Sequence, residues 1–250
     1  MLRRFSGKGH NIVTLLATII DESKENDKEY YILFPWAEGD LRGFWYRKSP
    51  KWDHGFLTWI ANQCYGIVDA VAYIHDPPDV KTENGAPLFG RHGDIKAENI
   101  LWFRGNTDIL ILSDLGLADV HREQSRSNLP PTMDVTREYR PPERDITEES
   151  GKISRSFDIW TLGCLFLEFV VWTLEGCKGI DQFRRDRQSP YEVGTRGVET
   201  TQYFDGRFVQ GDENLFEFKV KAKVAEVSRP VFPAVFRMCW LTPWRTTVVR

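Results

Sequence analysis

Cysteine and net charge are both scarce in this chain of 250 residues. The four cysteines are widely spaced and form no Cys-x-x-Cys pair, a pattern that favours reduced thiols in a reducing compartment. With 33 basic and 36 acidic residues, the net charge is −3. So small a charge gives no electrostatic reason to expect binding to nucleic acid or to a membrane surface. We therefore expect a cytoplasmic or nuclear protein that binds neither nucleic acid nor membranes.

Long apolar runs are lacking as well. The most apolar segment, residues 159–172, contains Glu168 and is too short to span a bilayer, so it suits a buried core helix. Near the amino terminus, Arg3, Arg4 and Lys8 precede the run 11–20, which polar residues interrupt and no small-residue cleavage pattern follows. Neither segment predicts a membrane anchor or a signal peptide. The chain also has no internal repeat and no low-complexity tract.

The composition is that of an ordinary globular protein, with 41% hydrophobic and 28% charged residues. The length fits one large domain or two small ones. Two β-rich runs, 12–20 and 30–34, flank a polar stretch and predict a hairpin. From Phe56 to His75 the apolar residues recur at helical spacing and predict a helix, and the proline-containing segment 77–91 predicts a loop.

The second half of the chain is less regular. The runs 100–103 and 109–112 predict a second short hairpin, and a buried helix is predicted to begin near Ser156. The polar stretch 175–213 allows no structural prediction. Within it, the charge run 184–187 is typical of a solvated face.

Two neighbouring segments carry a set of polar side chains that suits phosphoryl transfer. The first contains Asp94, Lys96 and Asn99, and the second begins with Asp114, fifteen residues after Asn99. Asp94 is a candidate acid/base group, and the oxygens of Asn99 and Asp114 are ligands that a hard cation such as Mg²⁺ selects. Phosphoryl transfer depends mostly on positioning and charge neutralisation. Each fragment alone is a weak signal, because turns favour Asp and Gly for other reasons.

The order of the motifs is more specific than any one of them. The chain carries, in this order, His92-Gly93-Asp94-Ile95-Lys96-Ala97-Glu98-Asn99, Asp114-Leu115-Gly116, Arg140-Pro141-Pro142-Glu143 and Asp158-Ile159-Trp160. This order and spacing resemble the eukaryotic protein kinases. The resemblance implies an α+β, protein-kinase-like fold. A remnant of the β-rich small lobe and the hinge would occupy residues 1–37, and the mainly helical large lobe residues 38–250.

The resemblance also implies roles for the polar residues of the catalytic loop. Asp94 would act as the catalytic acid/base, and Lys96 would stabilise charge on the transferring phosphoryl group. Asn99 and Asp114 would bind Mg²⁺. Asp158 would accept backbone N–H bonds from the catalytic loop.

Three further positions match the resembled family. Thr136, together with the lysine of the catalytic loop, would favour serine or threonine over tyrosine as the acceptor. Glu143 would end the activation segment and pair with Arg245. The segment 140–143 would form the shelf on which a peptide substrate docks.

On the nucleotide side, residues 30–37 look like the strand and hinge that join the two lobes. Phe34 would lie at the back of the adenine pocket, and the backbone of Pro35 and Ala37 would bond the adenine edge. Leu101 would form the floor below the base, and Asp40 would contact the ribose. The alternative is that the Phe-Pro-Trp cluster at 34–36 is plain core.

The chain departs from the family pattern in two respects. No counterpart is found for the Gly-rich loop, the strand lysine or the helix glutamate of the small lobe, so the resemblance begins partway through that lobe. Gly93 stands where most relatives carry an arginine that clamps a phosphorylated activation loop. A phosphate on Ser125, Ser127 or Thr132 of this chain would therefore lack that partner.

The predicted function is ATP- and Mg²⁺-dependent phosphorylation of serine or threonine in a protein substrate. The alternative from another class is a non-catalytic kinase-like interaction module, because the Gly-rich loop and the lysine have no counterpart. A small-molecule kinase is a third possibility, and the peptide-docking segment 140–143 argues against it. The sequence leaves the oligomeric state open.

Overall fold

The computed structural model describes residues 5, 11–21, 29–78, 81, 85, 89–115, 119–121, 127–128, 137–142, 152–153, 155–191, 198–209, 212–231 and 247–249. The chain forms two compact units. The first unit consists of Met1–Phe44, Trp52–His92 and Ala97–Gln124, and the second unit of Trp45–Lys51, Gly93–Lys96 and Ser125–Arg250. The domain boundary predicted between residues 37 and 38 stays a prediction.

An exposed hairpin opens the first unit. Strand β1 (Ala17–Asp21) pairs antiparallel with β2 (Glu29–Leu33), which confirms the predicted hairpin. The first strand is shorter than the β-rich run 12–20, because Ile12 forms an isolated bridge with Leu112 instead. Most side chains of both strands are exposed to solvent.

Helices follow the hairpin. Strand β3 (Gly39–Asp40) leads directly into helix α1 (Leu41–Arg47). Helix α2 (His54–His75) confirms the helix predicted over residues 56–75. Its amino-terminal cap is Asp53, whose carboxylate accepts a hydrogen bond from the Phe56 N–H at 2.7 Å and so satisfies one of the helix's unpaired donors.

A three-stranded sheet packs against α2. After β4 (Phe89–Arg91), strands β5 (Ile100–Phe103) and β6 (Ile109–Leu112) form the second predicted hairpin, and β3 joins at the free edge of β5. The Leu110 N–H donates to Oε1 of Gln63 on α2 at 2.9 Å, which ties the sheet to the helix. The prediction of a loop over residues 77–91 is wrong at its carboxyl-terminal end, where β4 pairs with β7 (Asp119–His121). That pairing depends on a partner far along the chain, which local composition does not reveal.

The second unit is built on one long helix. Strands β8 (Ser127–Asn128) and β9 (Lys152–Ile153) pair, and helix α3 (Ser156–Asp186) follows. The helix starts where the sequence predicts but continues far beyond residue 172, with a kink at Gly176. By length and composition this helix could therefore cross a membrane, so the sequence-based argument that its apolar run is too short to do so was wrong. Of the most apolar stretch of this helix, 67% is buried inside the protein, as in a core helix.

The part of the chain for which the sequence allows no prediction forms further strands. Strands β10 (Ser189–Tyr191) and β11 (Val198–Thr200) pair, and β12 (Phe204–Val209) and β13 (Asp212–Val220) form a second antiparallel pair. Helix α4 (Ala222–Val231) follows, and β14 (Thr247–Val249) pairs with β13. The ring of Phe204 packs against Trp160 of α3 and against Phe218, so this sheet covers part of the helix.

Candidate active site

Asp94 and Lys96 lie together in the second unit. The Lys96 Nζ is 2.7 Å from Oδ2 of Asp94, and both side chains are largely shielded from solvent. A charge-assisted bond of this length holds the carboxylate in one orientation. The two residues predicted to carry the chemistry are therefore brought together.

Gly93 anchors this segment to the core of the second unit. Its N–H donates to Oδ1 of Asp158 at 2.8 Å, and Asp158 is fully buried in the first turn of α3. The predicted role of Asp158 is thus confirmed. Gly93 has a φ of +85°, in the left-handed region that residues with a side chain rarely adopt. The glycine that replaces the family's arginine therefore matches the local backbone.

Asn99 and Asp114 meet at one end of the β5–β6 hairpin in the first unit. Ser113, next to Asp114, donates from both its N–H (2.8 Å) and its Oγ (2.9 Å) to the carbonyl of Asn99. The carbonyl of Ser113 lies 2.8 Å from Nε2 of the buried His92. Because a carbonyl oxygen can only accept, His92 carries a proton on Nε2. Together these bonds hold the backbone at Asn99 and Ser113 together, so that both predicted metal ligands lie at the same end of the hairpin.

Asp114 has an unusual backbone conformation. Its φ is +57°, and it is the only non-glycine residue with a positive φ in the part of the chain that the structure describes. The left-handed region costs an L-residue about 1–2 kcal/mol, least for Asp and Asn. Such strain is found mostly at functional sites. The side chain of Asp114 is exposed, as a ligand for an incoming cation must be.

The predicted nucleotide residues also lie in the first unit. Asp40 of β3 stands directly opposite Leu101 of β5. The Asp40 carboxylate accepts a hydrogen bond from the Gly43 N–H at 2.7 Å and so caps α1, a use that competes with the predicted ribose contact. Phe34 is 37% exposed and Trp36 is 93% exposed, so the alternative that this cluster is plain core is wrong.

The predicted hinge contains two backbone polar groups that the described part of the chain leaves without a partner. Pro35 and Ala37 are half-buried. Among the residues that the structure describes, neither the Pro35 carbonyl nor the Ala37 N–H has a hydrogen-bond partner. An acceptor and a donor two residues apart suit the edge of an adenine ring. Their assignment to adenine stays a prediction.

The donor set fits a magnesium–nucleotide complex. Mg²⁺ usually keeps several waters and binds one or two carboxylates together with substrate phosphates. Asn99 and Asp114 supply one amide and one carboxylate oxygen source at the same end of a hairpin. Within the described ranges, no group of three or more His, Cys, Asp or Glu residues could hold a metal ion by itself. A cation held here would therefore depend on the nucleotide for its remaining ligands.

A buried charge cluster in the second unit has no counterpart among the sequence-based predictions. Arg187 is 0% exposed, so the charge run 184–187 is not a uniformly solvated face. Its guanidinium contacts the carboxylates of Glu138 (2.8 Å) and Glu168 (3.5 Å). The signal was present in the sequence: Ile180, Phe183 and Arg187 follow one another at helical spacing, which places the arginine on the buried face.

Burial perturbs the titration of this cluster. For Arg187, burial lowers the pKa, but the neighbouring acidic groups of Tyr203, Glu168 and Glu138 outweigh burial and raise the pKa overall. Burial also raises the pKa of Tyr203 well above its usual value. The pKa of the Cys164 thiol is raised in the same way. Tyrosine and thiol are therefore neutral at physiological pH, and the guanidinium is charged.

Some residues of the predicted site lie outside the described residues. These are Gly116, Thr136, Glu143 and Arg245. Of the docking segment 140–143, Arg140 and two buried prolines are described, and a short 3-10 turn (Arg137–Tyr139) directly precedes them. The predicted pairing of Glu143 with Arg245 stays a prediction.

Comparison with known protein families gives one match that covers most of the chain. The family model described as "Protein kinase domain" matches residues 1–182. This stretch contains the catalytic loop, Asp114, the docking segment and most of α3. It ends just before the buried Arg187.

Curated proteins with similar sequences are protein kinases. The chain is 29% identical over 175 residues to a serine/threonine-protein kinase of Candida albicans, and the match covers 63% of this chain and 21% of that protein. It is 29% identical to Cyclin-dependent kinase 12 of Caenorhabditis elegans (63% of this chain, 20% of that protein). It is 28% identical to the probable cyclin-dependent kinase 9 of Schizosaccharomyces pombe (70% of this chain, 29% of that protein). The chain thus spans a fifth to about a third of these relatives.

Among solved structures, the kinase PK-1 of Cydia pomonella granulovirus is similar. The identity is 22%, the TM-score is 0.44, and the match covers 65% of this chain and 50% of the viral one.

Proposed function

This chain belongs to the protein kinase family, and we propose that it transfers a phosphoryl group from ATP to serine or threonine of a protein substrate. The family and its α+β, protein-kinase-like fold follow from the match over residues 1–182. The reaction of this particular chain is our proposal. The observation that carries it is the 2.7 Å bond between Lys96 Nζ and Asp94 Oδ2 on a segment anchored to the buried Asp158.

In the proposed reaction, Asp94 orients the acceptor hydroxyl and takes its proton during attack. Lys96 places a positive charge beside that carboxylate, where negative charge on the phosphoryl oxygens develops. Because the lysine already bonds to Asp94, the two groups need little reorganisation when a substrate binds. Both groups already lie on the same short segment of the chain.

Asn99 and Asp114 would hold Mg²⁺, and the bonds to Ser113 keep both ligands in place. When bound, magnesium–ATP supplies the phosphoryl group and neutralises its charge. The open backbone groups of Pro35 and Ala37 would seat the adenine edge, with Leu101 below the base. The partners of this chain would then be ATP, Mg²⁺ and a protein substrate.

The first experiment is calorimetric titration of ATP into the chain, with and without Mg²⁺. We expect binding that requires Mg²⁺ and that is lost in Asp114→Asn. The matched control is Asp76→Asn, which removes an exposed carboxylate of the same unit at the end of α2 and should leave binding unchanged. ATP binding that is indifferent to both Mg²⁺ and Asp114 would contradict the assigned metal site.

The second experiment measures phosphoryl transfer to a peptide library that contains serine, threonine and tyrosine acceptors. We expect labelling of serine and threonine peptides, and a loss of at least about 10²-fold in rate in Asp94→Asn, as for removal of a general base. A folded chain that binds ATP but labels no peptide would contradict the proposed activity. Such a result would favour the non-catalytic interaction module.

The relatives suggest a further partner. Two of them are named cyclin-dependent kinases. On those names, a cyclin is a candidate partner of this chain, and a cytoplasmic or nuclear location is proposed with it. Size-exclusion chromatography of the chain mixed with cyclins tests the first point, and fluorescence microscopy of the tagged protein tests the second.

A further inference from the structure

Arg187 lies in an enclosed aromatic and carboxylate environment at the end of α3. Its guanidinium carbon is 4.2 Å from the centre of the Phe183 ring and 4.1 Å from that of Tyr203, so the cation lies against two aromatic faces. The side chain has no exposed surface. A desolvated cation is stable only where negative charge compensates it.

Two carboxylates from different parts of the second unit supply that charge. Glu168 lies on α3 itself and also accepts hydrogen bonds from the hydroxyls of Tyr203 (3.0 Å) and Tyr139. Glu138 lies 2.8 Å from the guanidinium, in the 3-10 turn of residues 137–139. Arg187 therefore joins the core helix to the turn directly before the segment 140–143, which is predicted to dock a peptide substrate.

The position of Arg187 is fixed from a third side. Its Nε donates to the carbonyl of Thr201 at 3.1 Å. Its own carbonyl accepts from Nζ of Lys221, which also donates to the carbonyl of Thr200 at 3.2 Å. The backbone and side chain of Arg187 are thus both held, so that the guanidinium is a rigid point of attachment.

The segment 137–142, which runs from this turn into the docking segment, has little regular structure to hold it in place. Its regular structure is a three-residue 3-10 turn, and it pairs with no strand that the structure describes. Glu138 contacts Arg187 at 2.8 Å and, more weakly, the half-exposed Arg184 of α3 at 3.6 Å. Tyr139 contacts Glu168. The contacts to Arg187 and Glu168 converge on the same buried charge cluster.

We propose that Arg187 is a positioning residue that holds the segment 137–142 in the arrangement required to dock a peptide substrate. The inference rests on the proposed kinase function and adds a residue beyond the stretch 1–182 that matches the family. If this cluster only stabilised the core, apolar side chains would do so equally well, because a buried ion pair adds little stability compared with well-packed hydrophobic residues. An ion pair that joins a short irregular segment to a helix fixes orientation as well as proximity.

The test compares Arg187→Met and Glu138→Gln with the unaltered full chain. Hydrogen exchange measured by mass spectrometry over residues 137–142 should be faster by about tenfold or more in both variants, since the segment opens locally. In steady-state assays, the KM for peptide should rise by about tenfold while the KM for ATP stays constant, because only peptide docking loses an interaction. Arg187→Lys, which keeps the charge but not the planar fork, should restore part of the affinity.

The matched control is Arg207→Met. Arg207 forms an ion pair with Glu217 at 2.5 Å in the same unit, but its side chain is 65% exposed and it lies far along the chain from the docking segment. This variant should change neither exchange at 137–142 nor either KM. Glu138→Gln guards against misfolding, because it leaves Arg187 paired with Glu168 in the core.

The outcomes separate this inference from the proposed function. Unchanged exchange at 137–142 in a folded Arg187→Met or Glu138→Gln variant overturns the inference, whether or not the chain is active. A raised KM for ATP with an unchanged KM for peptide overturns it as well. An unaltered chain that transfers no phosphoryl group counts against the proposed kinase activity, and the exchange measurement then still decides whether Arg187 positions the segment.

Discussion

The N–H of Gly93 donates its hydrogen bond to the carboxylate of Asp158, a charged group with no exposed surface in the first turn of α3. The bond fixes the start of the segment that carries Asp94. The Asp158 side chain is thus an anchor for the catalytic loop, while Arg155 occupies the amino-terminal cap position of α3.

Removal of this anchor should weaken the fold. We expect Asp158→Ala to lower the free energy of unfolding by about 1.5–3 kcal/mol, the usual contribution of a hydrogen bond to a charged group. Urea denaturation followed by circular dichroism measures the change. The exposed Asp186 at the other end of α3 provides the control, since Asp186→Asn should shift stability by less than about 0.5 kcal/mol. Equal stability of the two variants would contradict the anchoring role.

The kink in α3 depends on glycine. Gly176 has φ +70° and ψ −164°, a region that is essentially restricted to glycine. A Cβ there would meet nothing closer than 3.9 Å, so space is sufficient and only backbone strain opposes a side chain. We expect Gly176→Ala to cost about 1–3 kcal/mol of unfolding free energy. Gly55→Ala, in the first turn of α2 and outside the positive-φ region, is the control, because its Cβ would meet only a side-chain oxygen at 3.3 Å. Similar thermal midpoints for both variants would argue against the strain.

Because of the backbone strain at Asp114, substitutions there should affect stability and function differently. Glycine relieves a left-handed backbone, whereas alanine keeps the strain and loses the short polar side chain. We expect Asp114→Gly to be at least as stable as the unaltered chain and Asp114→Ala to be about 1 kcal/mol less stable. Both should lose Mg²⁺-dependent ATP binding. Guanidinium denaturation and calorimetry measure the two quantities, and equal stability of the Gly and Ala variants would refute the role of the backbone.

The cysteines should differ in reactivity. Burial raises the pKa of Cys64 to about 12, and it raises that of the fully buried Cys164 well above its usual value. Because only the thiolate reacts, both should resist iodoacetamide at pH 8, while the half-buried Cys177 is modified before them. Below the pKa, each additional pH unit raises the thiolate fraction by a constant factor. The rate of alkylation at Cys64 should therefore still be rising at pH 10. Mass spectrometry of the labelled peptides tests this, and early modification of Cys64 in folded protein would contradict it.

Phosphorylation of the loop that follows Asp114 should not switch this chain on. Gly93 offers no guanidinium to pair with a phosphate, and its positive φ disfavours an arginine. We expect Ser127→Asp to leave peptide phosphorylation within about twofold of the unaltered rate. Ser127→Ala is the matched control for the loss of the hydroxyl. A large activation by aspartate alone would refute the hypothesis.

Much of the local structure could be predicted because the signals are local. The helical spacing of apolar residues identified α2 to within two residues of its start, and the β-rich runs identified β5 and β6. The order of the motifs identified the family. It also indicated Asp158 as the acceptor for the catalytic loop, which the bond to Gly93 confirms.

The remaining features depend on partners distant in sequence. Strand β4 forms because β7 pairs with it, and nothing within residues 77–91 indicates that partner. Arg187 is buried because Glu138 and Glu168 lie beside it, 49 and 19 residues away in the chain. In the sequence it is one of four consecutive charged residues. Its burial could have been inferred only by extending the apolar spacing of α3 through a polar stretch.

The exposed indole of Trp36 gives the proposed nucleotide hinge its own optical reporter. Among the described tryptophans, Trp45, Trp102, Trp160 and Trp172 are buried, Trp59 is half-buried, and Trp36 and Trp52 are exposed. Of these described fluorophores, a collisional quencher such as iodide should therefore act most strongly on Trp36 and Trp52. In a Trp52→Phe chain, Trp36 would be the most accessible of the described indoles, directly between Pro35 and Ala37. A base seated there would shield the ring and change its emission without any added label.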